Sequence, residues 1–126
     1  MPTPNFHHVR IVVAEDDPAS QTVLVRLLDK LGYRVACIVA NGAELLERCR
    51  AERFDVVLAD LDMPRMDGLE AAEEIAKLGQ PCILISGHAD LHQMVLEREP
   101  VISALSKPVD MDQLREALEA ALPSLG

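Results

Sequence analysis

Five short apolar segments rich in β-branched residues recur along the chain: VRIVVA from Val9, YRVACIVA from Tyr33, FDVVLA from Phe54, PCILI from Pro81 and VISALS from Val101. Each has the length and composition of a strand. Between them lie stretches with apolar residues at helical spacing, most clearly Val23, Leu27, Leu28 and Leu31, and later Leu114, Ala117, Leu118, Ala121 and Leu122. The strand segments are continuously apolar rather than alternating, which means burial on both faces. Strand and helix periods alternate along the chain, and this predicts the α/β class: a doubly wound, five-stranded parallel sheet with five helices covering its two sides.

A chain of 126 residues, 49% apolar, suits one domain around one core. We read a single domain over residues 1–126, with short tails at 1–7 and 123–126 and no linker. The net charge is −9, and the 12 basic residues are scattered among 21 acidic ones, which argues against a nucleic-acid surface. The apolar run Val35 to Ala40 is too short to cross a bilayer, and MPTPNFHH lacks the regions of a signal peptide. A cytoplasmic protein with no membrane association is expected. Cys37, Cys49 and Cys82 are odd in number and widely spaced, which favours small core residues over a disulfide framework or zinc site.

Helix starts follow from side-chain chemistry, since Asp or Asn with Glu or Gln three residues on can satisfy exposed N–H groups reciprocally. Asn41 with Glu44, Asp67 with Glu70, Asp90 with Gln93 and Asp110 with Gln113 fit this pattern, and Asp17 before Pro18 caps the first helix. Asp17, Asp67, Asp90 and Asp110 therefore have a sufficient structural role. The remaining polar residues at strand ends are more pointed. Glu15 and Asp16 end the first strand, Asp60 ends the third with Asp62 just beyond, Ser86 ends the fourth and Lys107 follows the fifth. In an open parallel sheet the carboxyl ends of the strands share one edge, and ligands bind there where the strand order reverses. All six residues are expected to converge.

Carboxylates gathered in one crevice repel by roughly 4 kcal/mol per pair at about 4 Å and an effective dielectric near 20. A cation relieves this, and an all-oxygen donor set selects a hard ion, Mg²⁺ first, which also binds phosphate oxygens. Lys107 and Ser86 supply an ammonium and a hydroxyl for phosphoryl oxygens. Asp60 between them suits the nucleophile of aspartyl-phosphate chemistry. His88 and His92, four apart, lack a third nitrogen or sulfur ligand.

At these residues the chain resembles the receiver domain of bacterial two-component response regulators. The matching elements are AEDDP (Ala14 to Pro18), DLDMPRMDG (Asp60 to Gly68), SGH (Ser86 to His88) and SKP (Ser106 to Pro108), in order and over nearly the whole length. The resemblance implies a flavodoxin-like sheet order of 2-1-3-4-5. It also implies that Asp60 accepts a phosphoryl group from a phosphohistidine on a sensor histidine kinase or histidine phosphotransfer protein. Asp16 and Asp60 would bind Mg²⁺ directly, Glu15 through water and Asp62 by its backbone carbonyl, while Ser86 and Lys107 hold the phosphoryl oxygens. Asp62 and His88, each two residues past a site residue, would set the phosphoryl lifetime. Such a domain catalyses its own phosphorylation and dephosphorylation and does not turn over a separate substrate. Its downstream protein would dock on the fourth helix, fifth strand and fifth helix.

One position departs from the pattern. The family usually carries an aromatic residue three before the Lys, and here that residue is Ala104; Phe6, Tyr33 and Phe54 all lie earlier in the chain. Repacking of Ile102, Leu105 and the Leu91, Met94 and Val95 face is the alternative route for a signal. Two rival readings are an unphosphorylated pseudo-receiver and a haloacid-dehalogenase-type phosphatase. The second suits Asp60-Leu61-Asp62 but has its acids in the wrong order.

Overall fold

The computed structural model describes residues 5–61, 68–87 and 102–122. The elements run β1 (Ile11–Ala14), α1 (Pro18–Lys30), β2 (Val35–Val39), α2 (Gly42–Ala51), β3 (Val56–Asp60), α3 (Gly68–Lys77), β4 (Cys82–Ser86), β5 (Ile102–Ser106) and α4 (Met111–Ala121). The sheet order is β2-β1-β3-β4-β5 and every pairing is parallel. Both match the expected doubly wound topology. Four helices lie among the described residues; the expected helix between β4 and β5, with Asp90 and Gln93, falls at 88–101, outside them. Asp67 lies outside them too.

The continuous apolar runs are two alternating sets. Ile11, Val13, Val56, Leu58, Ile83 and Ile85 pack with Leu24 and Leu28 of α1 and Leu114 and Leu118 of α4. Val12, Ala14, Val57, Ala59, Cys82 and Leu84 pack on the other side with Leu45 and Cys49 of α2 and Ile75 of α3. Successive strand residues point to opposite faces, so a strand covered on both sides must be apolar at every position. The α4 stripe is as expected, with Leu114, Leu118 and Leu122 buried. On α1 the stripe needs correction: Leu24 and Leu28, one turn apart, are innermost, Leu27 and Leu31 flank them, and Val23 is 55% exposed. A residue next to Leu24 is turned by about 100° around the helix axis, which carries Val23 away from the sheet.

The caps form as the side chains dictate. Asp17 accepts from the N–H and the hydroxyl of Ser20 (3.0 and 2.9 Å), and Asp110 from the N–H groups of Asp112 and Gln113. Asn41 accepts from the Glu44 N–H at 2.8 Å, while Glu44 reaches back to the N–H of Ala40 rather than of Asn41. At the other end of α3, Gly79 adopts φ +80, which lets the chain leave the helix in a left-handed turn that a side chain would strain. Phe6, inside the stretch read as a tail, stacks on Tyr33 with ring centroids 4.9 Å apart, and its N–H donates to the Gly32 carbonyl.

Two of the three thiols are core groups as expected. Cys49 and Cys82 are buried and Cys37 is half-buried, all unpaired; burial pushes the Cys49 thiol up to about 11 and that of Cys82 to about 12. Near them the buried Gln80 joins three elements. Its Oε1 accepts from the Phe54 N–H (3.2 Å) and its Nε2 donates to the Cys49 carbonyl (2.9 Å). Gln80→Leu is expected to lower the unfolding free energy by about 1–3 kcal/mol for each group left without a partner. The check is a lower urea midpoint at unchanged slope.

Candidate functional site

Carrying the alternation to the end of β3, and one residue past β1 and β5, explains the site. Ile11 and Val13 face α1 and α4, and Glu15 continues that row; Val56 and Leu58 lead likewise to Asp60. Leu105 on β5 leads to Lys107. The three meet at the carboxyl edge. Lys107 Nζ donates to Asp60 Oδ2 at 2.8 Å, with the Asp60 side chain 4% exposed and that of Lys107 36%. They line a cavity of about 540 Å³ with Ala19, Ser20, Val23, Leu24, Ile85, Pro108 and Val109. The Lys107–Pro108 peptide bond is cis.

Lys107 is brought to Asp60 by the sheet itself. Its N–H donates to the Ser86 carbonyl at 3.0 Å, continuing the β4–β5 pairing in which Ser86 stands opposite Ser106. Ser86 is buried at the end of β4, one residue past Ile85, the register partner of Asp60. Leu61 then closes the ladder by donating to the Ile85 carbonyl at 2.9 Å.

Glu15 is the unusual group. It is only 2% exposed. Its Oε1 accepts from the Asp17 N–H at 3.0 Å, and its Oε2 is buried with no hydrogen-bond donor among the described residues. Burial first, then its hydrogen-bonding proximity to Asp60 and the charge of Asp60, push its carboxyl up to about 7, against the opposing pull of the Asp17 N–H and Lys107. Among the described residues two buried acids thus face one another beside one ammonium, and a proton on Glu15 or a cation relieves their repulsion.

Of the expected ligands, Glu15 and Asp60 are joined, Asp16 is exposed beside them and Asp62 lies outside the described residues, as does His88. Among the described residues no three His, Cys, Asp or Glu side chains are grouped as a metal site. The residues present still fit a hard cation: the orphaned Glu15 Oε2 is a buried oxygen donor beside a second carboxylate. Ala104 lies opposite Leu84 and packs against the α2 and α3 side of the core, where its methyl group leaves the sheet edge without a ring.

Gln21 was not singled out from the sequence. Its Nε2 donates to the Glu15 carbonyl at 2.7 Å. The signal was there: Gln21, Leu24 and Leu28 fall at i, i+3 and i+7, which places a polar amide on the inward stripe of α1.

An open parallel sheet with two acids and a lysine at its carboxyl edge defines a doubly wound α/β protein with a crevice site. The family profile of the response regulator receiver domain matches residues 11–119, and the chain belongs to that family. It is 36% identical over 117 residues to the transcriptional regulatory protein ZraR of Klebsiella oxytoca, covering 90% of this chain and 26% of that protein. A hybrid signal transduction histidine kinase K of Dictyostelium discoideum is 31% identical over 127 residues, covering 90% of this chain and 10% of the kinase. The chain thus spans about a quarter or less of the length of these curated relatives. Among solved structures, a CheY-like response regulator receiver domain protein from Methanospirillum hungatei superposes with a TM-score of 0.77 at 29% identity, covering 92% of this chain and 94% of the other. Receiver domains of this family are generally not substrate-turnover enzymes.

Glu15 makes stability depend on pH in a definite direction. A carboxyl raised from 4.5 to about 7 in the folded state binds more protons folded than unfolded, so its contribution is fully present below pH 4.5 and is lost as pH rises through 7. In metal-free buffer, wild type is expected to lose stability on the order of 3 kcal/mol relative to Glu15→Gln between pH 4.5 and 8. Urea midpoints of both proteins across that range provide the check; parallel profiles contradict it.

Proposed function

We propose that this receiver domain accepts a phosphoryl group on Asp60 from a phosphohistidine of a sensor histidine kinase or histidine phosphotransfer protein. The single observation that carries the reading is the Asp60 carboxylate, buried at the end of β3 yet opening on the cavity with the Lys107 ammonium at 2.8 Å. A carboxylate oxygen attacks phosphorus and the P–N bond breaks. Its electron pair stays on the imidazole nitrogen, and a mixed anhydride forms on Asp60. Hydrolysis reverses the state: water attacks phosphorus, inorganic phosphate leaves and the carboxylate returns.

The chain's own residues supply orientation and charge. Lys107 moves from the carboxylate to a phosphoryl oxygen as negative charge accumulates there, and Ser86 donates its hydroxyl to another. Glu15, Asp16, Asp60 and the Asp62 carbonyl would hold Mg²⁺, which when bound neutralises phosphate oxygens. The apolar rim of Ala19, Val23, Pro108 and Val109 around the cavity, with Val23 exposed, suits a donor protein approaching over α1. The downstream protein would use β5, α4 and the 88–101 segment. No helix among the described residues is long and apolar enough to cross a membrane. The intact Asp60–Lys107 pair favours phosphorylation over a pseudo-receiver.

Incubated with Mg²⁺ and acetyl phosphate, wild type is expected to gain one phosphoryl mass by intact mass spectrometry and Asp60→Asn none. Lys107→Ala should slow adduct formation on the order of 10²-fold. An adduct of equal yield on Asp60→Asn would sink the assignment.

A further inference from the structure

We propose that Gln21 is a positioning residue that sets where the Glu15–Asp16 pair meets Asp60, and through it the affinity of the site for a divalent cation. The inference rests on the reading of the site given above and adds to it a residue outside the crevice.

Glu15 stands where β1 stops and the chain must turn into α1. Its N–H still belongs to the sheet, donating to the Val39 carbonyl at 2.9 Å. Its carbonyl instead accepts from the Gln21 side-chain amide, at 2.7 Å and from six residues on. That peptide unit is planar, so a fixed Glu15 oxygen also fixes the direction of the Asp16 N–H and the position of the Asp16 Cα. The Gln21 amide therefore decides the direction in which Asp16 leaves the sheet.

The same anchor acts on Glu15. The Asp17 N–H holds Oε1, while Oε2 is buried with no donor among the described residues. The orientation of this carboxyl thus depends on the geometry of residues 15–17. Gln21 and Asp17 both belong to the α1 end that approaches the sheet: Asp17 caps the helix and Gln21 lies on its inward stripe. Packing of Leu24 and Leu28 holds that end in place, and Gln21 transmits its position to the acids. Partners that orient ligands in this way typically change metal affinity by tenfold or more when removed.

The test uses Mg²⁺ alone, followed by calorimetry and by the Asp16 amide resonance, on wild type, Gln21→Met and Gln21→Arg. Methionine keeps length without a donor; arginine restores N–H groups. The expected result is Mg²⁺ binding weakened on the order of tenfold in Gln21→Met and recovered to within about threefold in Gln21→Arg. The Mg²⁺ concentration for half-maximal adduct formation should rise in parallel, with the lost rate recovered at saturating Mg²⁺. A purely structural role would lower the thermal midpoint and leave Mg²⁺ affinity unchanged. Wild-type affinity in Gln21→Met, or no recovery in Gln21→Arg, overturns the assignment while adduct formation on Asp60 stands. Wild type that binds no Mg²⁺ overturns both. Should Gln21→Met fail to fold, Gln21→Ala, which removes the amide without adding bulk, decides by the same criteria.

Discussion

Because the central strands are covered by helices on both faces, the sheet tolerates a charged side chain only where a strand ends, and there only if another charge meets it. Glu15 and Asp60 occupy such ends, next to each other because β1 pairs with β3, and Lys107 follows the end of β5. Charge is expelled from the interior of the sheet and concentrated on one edge. The layered packing that stabilises the fold is therefore also what assembles the crevice.

Among the described residues, the Lys107 ammonium, held at 2.8 Å from Asp60, faces two buried acids. Glu15 responds with a carboxyl pushed up to about 7 and a buried oxygen lacking any donor among those residues. Burying this second acid costs stability in a protein that needs only its fold, and a cost of that kind is concentrated at functional sites. The side chain of Lys107 is partly solvated while that of Asp60 is not.

Much of this was legible in the residues. The strand segments, the helix caps at Asp17, Asn41 and Asp110, and the strand-end positions of Glu15, Asp60, Ser86 and Lys107 all follow from local patterns. Val23 departs from the expected stripe because apolar spacing on α1 fits two neighbouring rotations of the helix, and packing on the sheet selects the one centred on Leu24 and Leu28. The spacing of Gln21 from Leu24 and Leu28 turns its amide inward without naming its partner, and Gln80, alone between α3 and β4, carries no pattern. Their roles are hydrogen bonds to backbone groups 6 and 31 residues away in sequence.

The sequence by itself determined the class of fold, the order of its elements and the residues that stand at strand ends, since these depend on periodicity and on side chains acting over a few positions. Only the tertiary structure decided that Glu15, rather than Asp16, buries its carboxyl against Asp60, that Lys107 reaches Asp60 Oδ2, and that an α1 amide holds the turn after β1. Those outcomes depend on strand register and on how deeply a helix seats on the sheet, and both are set by contacts between segments that lie far apart along the chain.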